Sequence, residues 1–141
     1  MIILHSDHNP VKKNFVFTYK GQAVGYIGYT VFDKEQNIYS GGSYIGEPKK
    51  CPVSAGAYLA FTANEYAYMK LGYEKMCTEV FADNKKAVKL NKLLGWKPNH
   101  DYDYYVMKDG NKKLVFKGFC VKEDWENVRT ELSDLLSGDD G

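Results

Sequence analysis

The sequence predicts an α+β fold with a mixed central sheet, and three patterns support this class. Three strand-like runs follow one another near the N-terminus with short polar connections, which is typical of an antiparallel meander. A helical pattern, a strand and a second helical pattern come next, and they predict a β-α-β-α segment. An aromatic hairpin pattern and an amphipathic helical pattern then complete the fold.

The meander begins where aromatic residues alternate with Val and Thr at residues 15–19, and Lys20-Gly21-Gln22 predicts the turn that follows. A second strand is predicted at residues 23–32 and a third at residues 38–45, across a polar connection. Gly41-Gly42 interrupts the third strand, and paired glycines inside a strand predict a bulge or a close approach of another backbone.

The β-α-β-α segment starts with a helix at about residues 55–71, which Gly72 ends. Apolar residues surround most of its circumference, so we expect it to pack in the interior of a layered fold. The next strand is predicted at residues 76–81 and the second helix at about residues 85–94. The first helix is therefore a crossover between neighbouring strands.

The hairpin is predicted from two aromatic runs, residues 102–107 and 114–121, which flank Asp109-Gly110. Asp-Gly is a strong signal for a two-residue turn between antiparallel strands. Residues 123–136 follow with an amphipathic pattern that includes Trp125, and they predict a C-terminal helix.

Length and composition limit the classes of function. With 141 residues, the chain predicts a single domain over residues 1–141, with a core at 14–121. The net charge of +1 gives no general attraction to nucleic acid, so no such partner is expected. The three cysteines lack ligand spacing with histidine, so neither a disulfide framework nor a metal site is expected. Because no signal peptide or membrane-spanning run is evident, a cytoplasmic location is expected.

The second helix carries the most specific motif. Residues 84–96, the helix with its flanking residues, resemble the strand–helix signature N-x-x-A-x-x-L-Y-x-K-x-G-F of the Gcn5-related N-acetyltransferases. Six positions match: Asn84, Ala87, Leu90, Lys92, Gly95 and Trp96. Asn91 stands where that family usually has tyrosine. The resemblance covers residues 14–117 and implies the three-layer fold of that family, truncated at the N-terminus and with an added C-terminal helix. It is closest to ribosomal-protein-type and amino-sugar acetyltransferases.

The resemblance implies that the chain transfers an acetyl group from acetyl-CoA (coenzyme A) to a primary amine by direct attack in a ternary complex. The acceptor would be an amino sugar, another small molecule or a protein. The family's pyrophosphate loop aligns with residues 51–56, so backbone N–H groups near Ser54, Ala55, Gly56 and Ala57 would hold the pyrophosphate. A plain helix start with a Ser54 cap is the other interpretation of these residues.

Asn84 and Asn91 lie seven residues apart, so they point within about 20° of each other on a helix and can face one ligand. The resemblance places Asn84, Ala87 and Asn91 at the pantetheine arm. An amide cannot protonate the leaving thiolate, so Tyr102, Tyr104, Tyr105 or water would do so, or the thiolate would leave unprotonated. The other interpretation is that Asn84 is only an N-cap and Asn91 an exposed polar residue.

The remaining catalytic roles are assigned to residues in strands or directly after them. A backbone N–H at Tyr44, Ile45 or Gly46 would polarise the thioester carbonyl beside a slot for pantetheine. The general base would be a carboxylate, either Glu79 within the strand at 76–81 or Glu47 after the third strand. Glu79 could instead be paired across the sheet or point to solvent.

Two further expectations concern partners. Without the family's N-terminal helices, the acceptor site would be wide, which favours a bulky acceptor or a homodimer that uses the helix at 123–136 and Trp125. Alternatively, the chain is a catalytically degenerate protein of this fold that binds CoA or a protein partner without turnover. A small interaction domain without a CoA site is the third interpretation.

Overall fold

The computed structural model of the chain describes residues 2–3, 12–46, 49 and 54–138. The chain divides into two compact units, Met1–Tyr73 and Glu74–Gly141, here called the N-terminal and C-terminal units. Its α+β elements are β1 (Ile2–Ile3), β2 (Lys12–Tyr19), β3 (Gln22–Asp33), β4 (Ile38–Ile45), α1 (Ala55–Met69), β5 (Lys75–Phe81), α2 (Lys85–Leu93), β6 (Lys97–Pro98), β7 (Tyr104–Lys108), β8 (Asn111–Val121) and α3 (Lys122–Gly138).

The N-terminal unit contains the predicted antiparallel meander. Strands β1 to β4 pair in chain order, and each neighbouring pair is antiparallel. Lys20 and Gly21 both adopt positive φ, 51° and 79°, as a two-residue turn of type I′ requires. The meander and its turn were both predicted from the sequence, and both are confirmed.

The β3–β4 pair shows no bulge at the paired glycines. Gly41 pairs with Tyr29 and Gly42 with Gly28 in regular register, and the irregularity of the β3–β4 pair lies between Val31 and Asp33 instead. A Cβ atom added to Gly42 would meet no atom within 4 Å, so no backbone approaches it closely either. Glycine in a strand permits a bulge without specifying one, and here the longer strand β3 contains it.

Helix α1 packs on this meander, as its apolar surface predicts. Leu59, Ala63 and Ala67 are buried, and the hydroxyl of Tyr29 donates a hydrogen bond to the Ala63 carbonyl. The rings of Phe15 and Tyr66 meet edge to face with their centroids 4.8 Å apart. The helix ends at Met69, two residues before the predicted end, and Gly72 has a φ of +72° in the chain reversal that follows.

In the C-terminal unit, β8 is the central strand. It pairs antiparallel with β5 along one edge and with β6 and β7 along the other. Asp109 and Gly110 have φ of 53° and 78°, which confirms the predicted two-residue hairpin turn.

Helix α2 is fixed at both ends by contacts within a short stretch of sequence. The Oδ1 atom of Asn84 accepts a hydrogen bond from the N–H of Ala87 at 3.2 Å, which confirms Asn84 as the N-cap. Gly95, with a φ of +97°, donates to the Lys92 carbonyl at 3.2 Å. Trp96 donates to the Asn91 carbonyl at 2.9 Å, and these two bonds form a Schellman motif.

Gly118 is a close-contact position that the sequence did not reveal. A Cβ atom there would lie 2.5 Å from the Lys97 carbonyl oxygen and 2.6 Å from both Pro98 Cα and Trp96 Nε1. Strand β6 and the Trp96 indole therefore pack directly on the bare backbone of β8. The indole N–H of Trp96 also donates to the Thr78 carbonyl at 3.1 Å.

Trp125, on α3, is fully buried within the folded chain. Its predicted role in a dimer interface is therefore wrong, because an indole with no accessible surface offers nothing to a second subunit. Self-association through other residues stays a prediction.

Candidate functional site

The start of α1 presents backbone N–H groups without a side-chain cap. Ser54 has helical backbone angles and makes no capping hydrogen bond, and the first turn contains no acidic residue. The first intrahelical bond runs from Tyr58 N–H to the Ser54 carbonyl at 3.0 Å, which leaves the N–H groups of residues 55–57 without an intrahelical acceptor. A Cβ atom on Gly56 would meet no atom within 4 Å. This helix start can therefore receive an anion.

The interpretation of Ser54 as a side-chain cap is contradicted by this geometry. Ser54, Ala55, Gly56 and Ala57 lie together at the helix start, as predicted, and all four side chains are small. Glu47 and the first part of the predicted loop, residues 51–53, lie outside the described residues.

At the end of β4, the three predicted backbone donors differ in direction relative to β3. The N–H of Gly46 is bonded to the Val24 carbonyl at 2.8 Å, and Gly25 pairs with Ile45. Because the donors of an antiparallel strand alternate in direction, the N–H of Ile45 points away from β3, whereas that of Tyr44 points toward it. Of the three predicted donors, Ile45 is the one that the meander leaves available.

Glu79 lies on β5 in a polar cluster of the C-terminal unit. The Tyr104 hydroxyl donates a hydrogen bond to Glu79 Oε2, and the Lys117 ammonium lies 3.9 Å from Oε1. The Glu79 side chain keeps 40% of its surface exposed, so its carboxylate is both paired across the sheet and open to solvent. The hydrogen bond to Glu79, followed by partial burial and the nearby negative charge, raises the pKa of Tyr104 to about 12.

Cys77 lies on the same face of β5, two residues before Glu79. Its thiol is buried, and desolvation raises its pKa, although the positive charges of Lys117 and Lys75 act in the opposite direction. The thiol is therefore protonated at neutral pH and has the character of a core residue rather than of a nucleophile.

The two asparagines of α2 both bond the same residue. Asn84 accepts from the Ala87 N–H, and the Nδ2 group of Asn91 donates to the Ala87 carbonyl at 2.8 Å. Asn91 is half-buried rather than exposed. The Nδ2 group of Asn84 and the Oδ1 atom of Asn91 are the amide groups that these contacts do not use, and they can bond a ligand.

The three tyrosines considered as proton donors lie in different surroundings. Tyr104 is bonded to Glu79, Tyr102 lies edge to face with Phe119, and the Tyr105 ring lies under the Lys112 ammonium at 4.3 Å. The pairing of Tyr104 with Glu79 was missed by the sequence analysis. Counting outward from the Asp109-Gly110 turn places Tyr104 opposite Val115, but only the β5–β8 register puts Val115 on the face of Glu79, and the sequence does not give that register.

Within the described ranges, no helix is both long and apolar enough to cross a membrane. In the same residues, no three His, Cys, Asp or Glu side chains group closely enough to hold a metal ion.

Comparison with known proteins finds similarity only at the level of structure. No family model matches the sequence, and no curated protein matches it. The spermidine/spermine N-acetyltransferase SpeG from Vibrio cholerae, solved with manganese ions, matches with a TM-score of 0.74 and 17% identity, over 85% of this chain and 71% of that one. A dodecameric structure of this enzyme in an intermediate state matches with a TM-score of 0.73 and 17% identity, over 85% of this chain and 70% of that one.

A chimera of the same enzyme and hSSAT matches with a TM-score of 0.72 and 17% identity, over 85% of this chain and 75% of that one. At this identity the likeness establishes the fold. The order of strands and helices around α1 and α2 agrees with the expectation drawn from the motif at residues 84–96. The chain has the fold of the Gcn5-related N-acetyltransferases.

Proposed function

We propose that the chain is an N-acetyltransferase that moves an acetyl group from acetyl-CoA to a primary amine. A fold alone does not fix an activity. The observation that carries the proposal is the uncapped start of α1, in a chain that shares its fold with spermidine N-acetyltransferases. The acceptor is an amino sugar, another small molecule or a protein.

The N–H groups of residues 55–57 would hold the pyrophosphate of acetyl-CoA, because they have no intrahelical acceptor and no Ser54 cap, and the helix dipole favours negative charge there. The free amide groups of Asn84 and Asn91 would bond the amides of the pantetheine arm. Their contacts with Ala87 already fix both side chains in one orientation.

Bound acetyl-CoA supplies the activated acetyl thioester. Glu79 accepts the proton that the acceptor amine loses on attack, since its carboxylate is exposed and its Oε1 side is not occupied by the Tyr104 hydroxyl. The N–H of Ile45 donates to the thioester oxygen as negative charge develops on it.

Tyr104 does not protonate the thiolate in this scheme. A phenol with a pKa of about 12 is a weaker acid than a thiol, so proton transfer to the thiolate would be uphill. Asn91 has no acidic proton to give. The leaving thiolate therefore departs unprotonated or takes its proton from water.

The first test is calorimetric titration with acetyl-CoA of the wild type, Gly56→Glu and Gly56→Ala. We expect micromolar binding by the wild type, retention by Gly56→Ala, and a loss of at least about tenfold in affinity for Gly56→Glu, whose carboxylate competes with the pyrophosphate. A glutamate in the first turn is favourable for the helix itself, so the loss would not reflect unfolding.

Turnover is then measured as CoA release with a panel of amines. Binding without turnover by any amine would support the catalytically degenerate alternative. Failure of the wild type to bind acetyl-CoA would contradict both and favour an interaction domain.

A further inference from the structure

The C-terminal unit contains an open depression of about 580 Å³, and none of the residues proposed above for acetyl transfer lines it. This volume falls within the range of small-molecule sites. Half-buried apolar side chains form its floor and polar or charged groups form its rim; its lining residues are Lys75, Lys97, Pro98, Asn99, His100, Phe119, Val121 and Asp124. We call it the basic depression.

The basic depression lies on the same face of the β5–β8 pair as Glu79. Lys75 pairs with Val121, Cys77 with Phe119, and Glu79 with Lys117, and alternate residues of a strand share a face. Phe119 is thus one row from Glu79, about 7 Å along the strands, and Lys75 is two rows away, about 13 Å.

This face carries three lysines, and two of them are paired with carboxylates. The Lys75 ammonium lies 4.5 Å from the centre of the Phe119 ring, and among the described residues no carboxylate lies within 4 Å of it. Lys97 is 75% exposed and contacts Asp124 at 3.1 Å. Lys117 lies 3.9 Å from Glu79, and the lining residue His100 contacts Asp103 at 3.0 Å. Lys75 is therefore the cation of this face that these ion pairs leave without a carboxylate.

We infer that the acceptor is an amine carried by an anionic small molecule, with its phosphate or carboxylate in the basic depression and its amine at Glu79. This inference rests on the proposed function, because Glu79 is taken as the general base. The anion lies about 7–13 Å from the amine, the spacing of the rows on the sheet. Ammonium groups from Lys75 and Lys97 bind anionic oxygen strongly.

A polyamine is a poor fit to the same surface. Spermidine carries positive charge along its whole length and would be repelled by the Lys75 ammonium, whereas Asp124 and Glu79 already contact Lys97 and Lys117. The fold is shared with spermidine acetyltransferases, but this face selects a ligand of the opposite charge.

The test compares ligands that differ in charge and share one amine. Glucosamine, glucosamine 6-phosphate and 2-amino-2-deoxyglucuronate are titrated into the protein in a phosphate-free buffer, with spermidine as the polycation. We expect at least one anionic sugar to bind about tenfold or more tightly than glucosamine, and spermidine to bind no better than glucosamine. The stronger of the two anionic sugars identifies phosphate or carboxylate as the recognised group.

Matched variants locate the site. Lys75→Gln should weaken binding of the preferred anionic sugar by about ten- to a hundredfold and leave glucosamine unchanged. Lys112→Gln is the control, because the Lys112 ammonium also lies over an aromatic ring, that of Tyr105, but on the opposite face of β8. Lys97→Gln repeats the test at the rim, and circular dichroism verifies that each variant is folded.

Equal affinity for charged and neutral sugars, tighter binding of spermidine, or an equal loss in Lys75→Gln and Lys112→Gln would each overturn the inference. Acetyl-CoA turnover is scored separately. Acetyl transfer without an anion preference refutes the inference alone. Anion binding in the basic depression without acetyl transfer to any amine refutes the proposed function, and only the anion site remains.

Discussion

Replacement of Gly118 by alanine is a direct test of how β6 packs on β8. The added methyl group would lie 2.5–2.6 Å from the Lys97 carbonyl oxygen, Pro98 Cα and Trp96 Nε1, well inside contact distance. Two of these three atoms belong to the backbone, so rotation of a side chain cannot relieve the overlap. Overpacking of this kind costs about 1–3 kcal/mol. A shift of the Trp96 indole would also weaken its hydrogen bond to Thr78, worth about 1 kcal/mol.

We therefore expect Gly118→Ala to lower the free energy of unfolding by about 2–4 kcal/mol. Urea unfolding followed by tryptophan fluorescence measures it, since Trp96 and Trp125 are both buried. Gly42→Ala is the control: its methyl group meets no atom within 4 Å, and the change should be neutral or slightly stabilising. A Gly118→Ala protein within about 0.5 kcal/mol of the wild type would refute the close packing of β6 on β8.

Two other predictions concern the Glu79 cluster. Glu79→Gln should lower kcat/KM for acetyl transfer by about 10²–10⁴ and leave acetyl-CoA affinity unchanged in calorimetry; near-wild-type turnover would exclude Glu79 as the base. Tyr104→Phe should reduce by one the number of phenols that titrate near pH 12 in ultraviolet absorbance, where Tyr73 also titrates, and an unchanged number would contradict the Tyr104–Glu79 bond. Because that pKa is raised above the ordinary value of 10.0, the bond stabilises the fold below about pH 10, and the advantage of wild type over Tyr104→Phe should disappear as the pH rises to about 12.

Features determined by neighbouring residues were predictable from the sequence. Asn84 caps α2 through a bond to Ala87, three residues later, and Asp109-Gly110 forms a turn because two successive positive φ angles favour this pair. Element bounds therefore agree within a few residues, from the third strand at Ile38–Ile45 to α2 at Lys85–Leu93.

Features that depend on register or on space were not predictable. Glu79 and Tyr104 are 25 residues apart and meet only because β5 and β7 pair on opposite edges of β8. The structural roles of the strand glycines were not predictable either. The sequence marked Gly41 and Gly42, where the sheet is regular, and did not distinguish Gly118, where another backbone occupies the space of a side chain.

Helix α2 has only nine residues, a length at which an isolated helix is marginal in water. The bonds of Asn84, Asn91, Gly95 and Trp96 that cap it fall within residues 84–96, so they join residues that are close in the chain. The conformational entropy of the Asn84 and Asn91 side chains is thereby lost during folding rather than during ligand binding. For any molecule that bonds these two amides, preorganisation of this kind increases affinity without adding a contact.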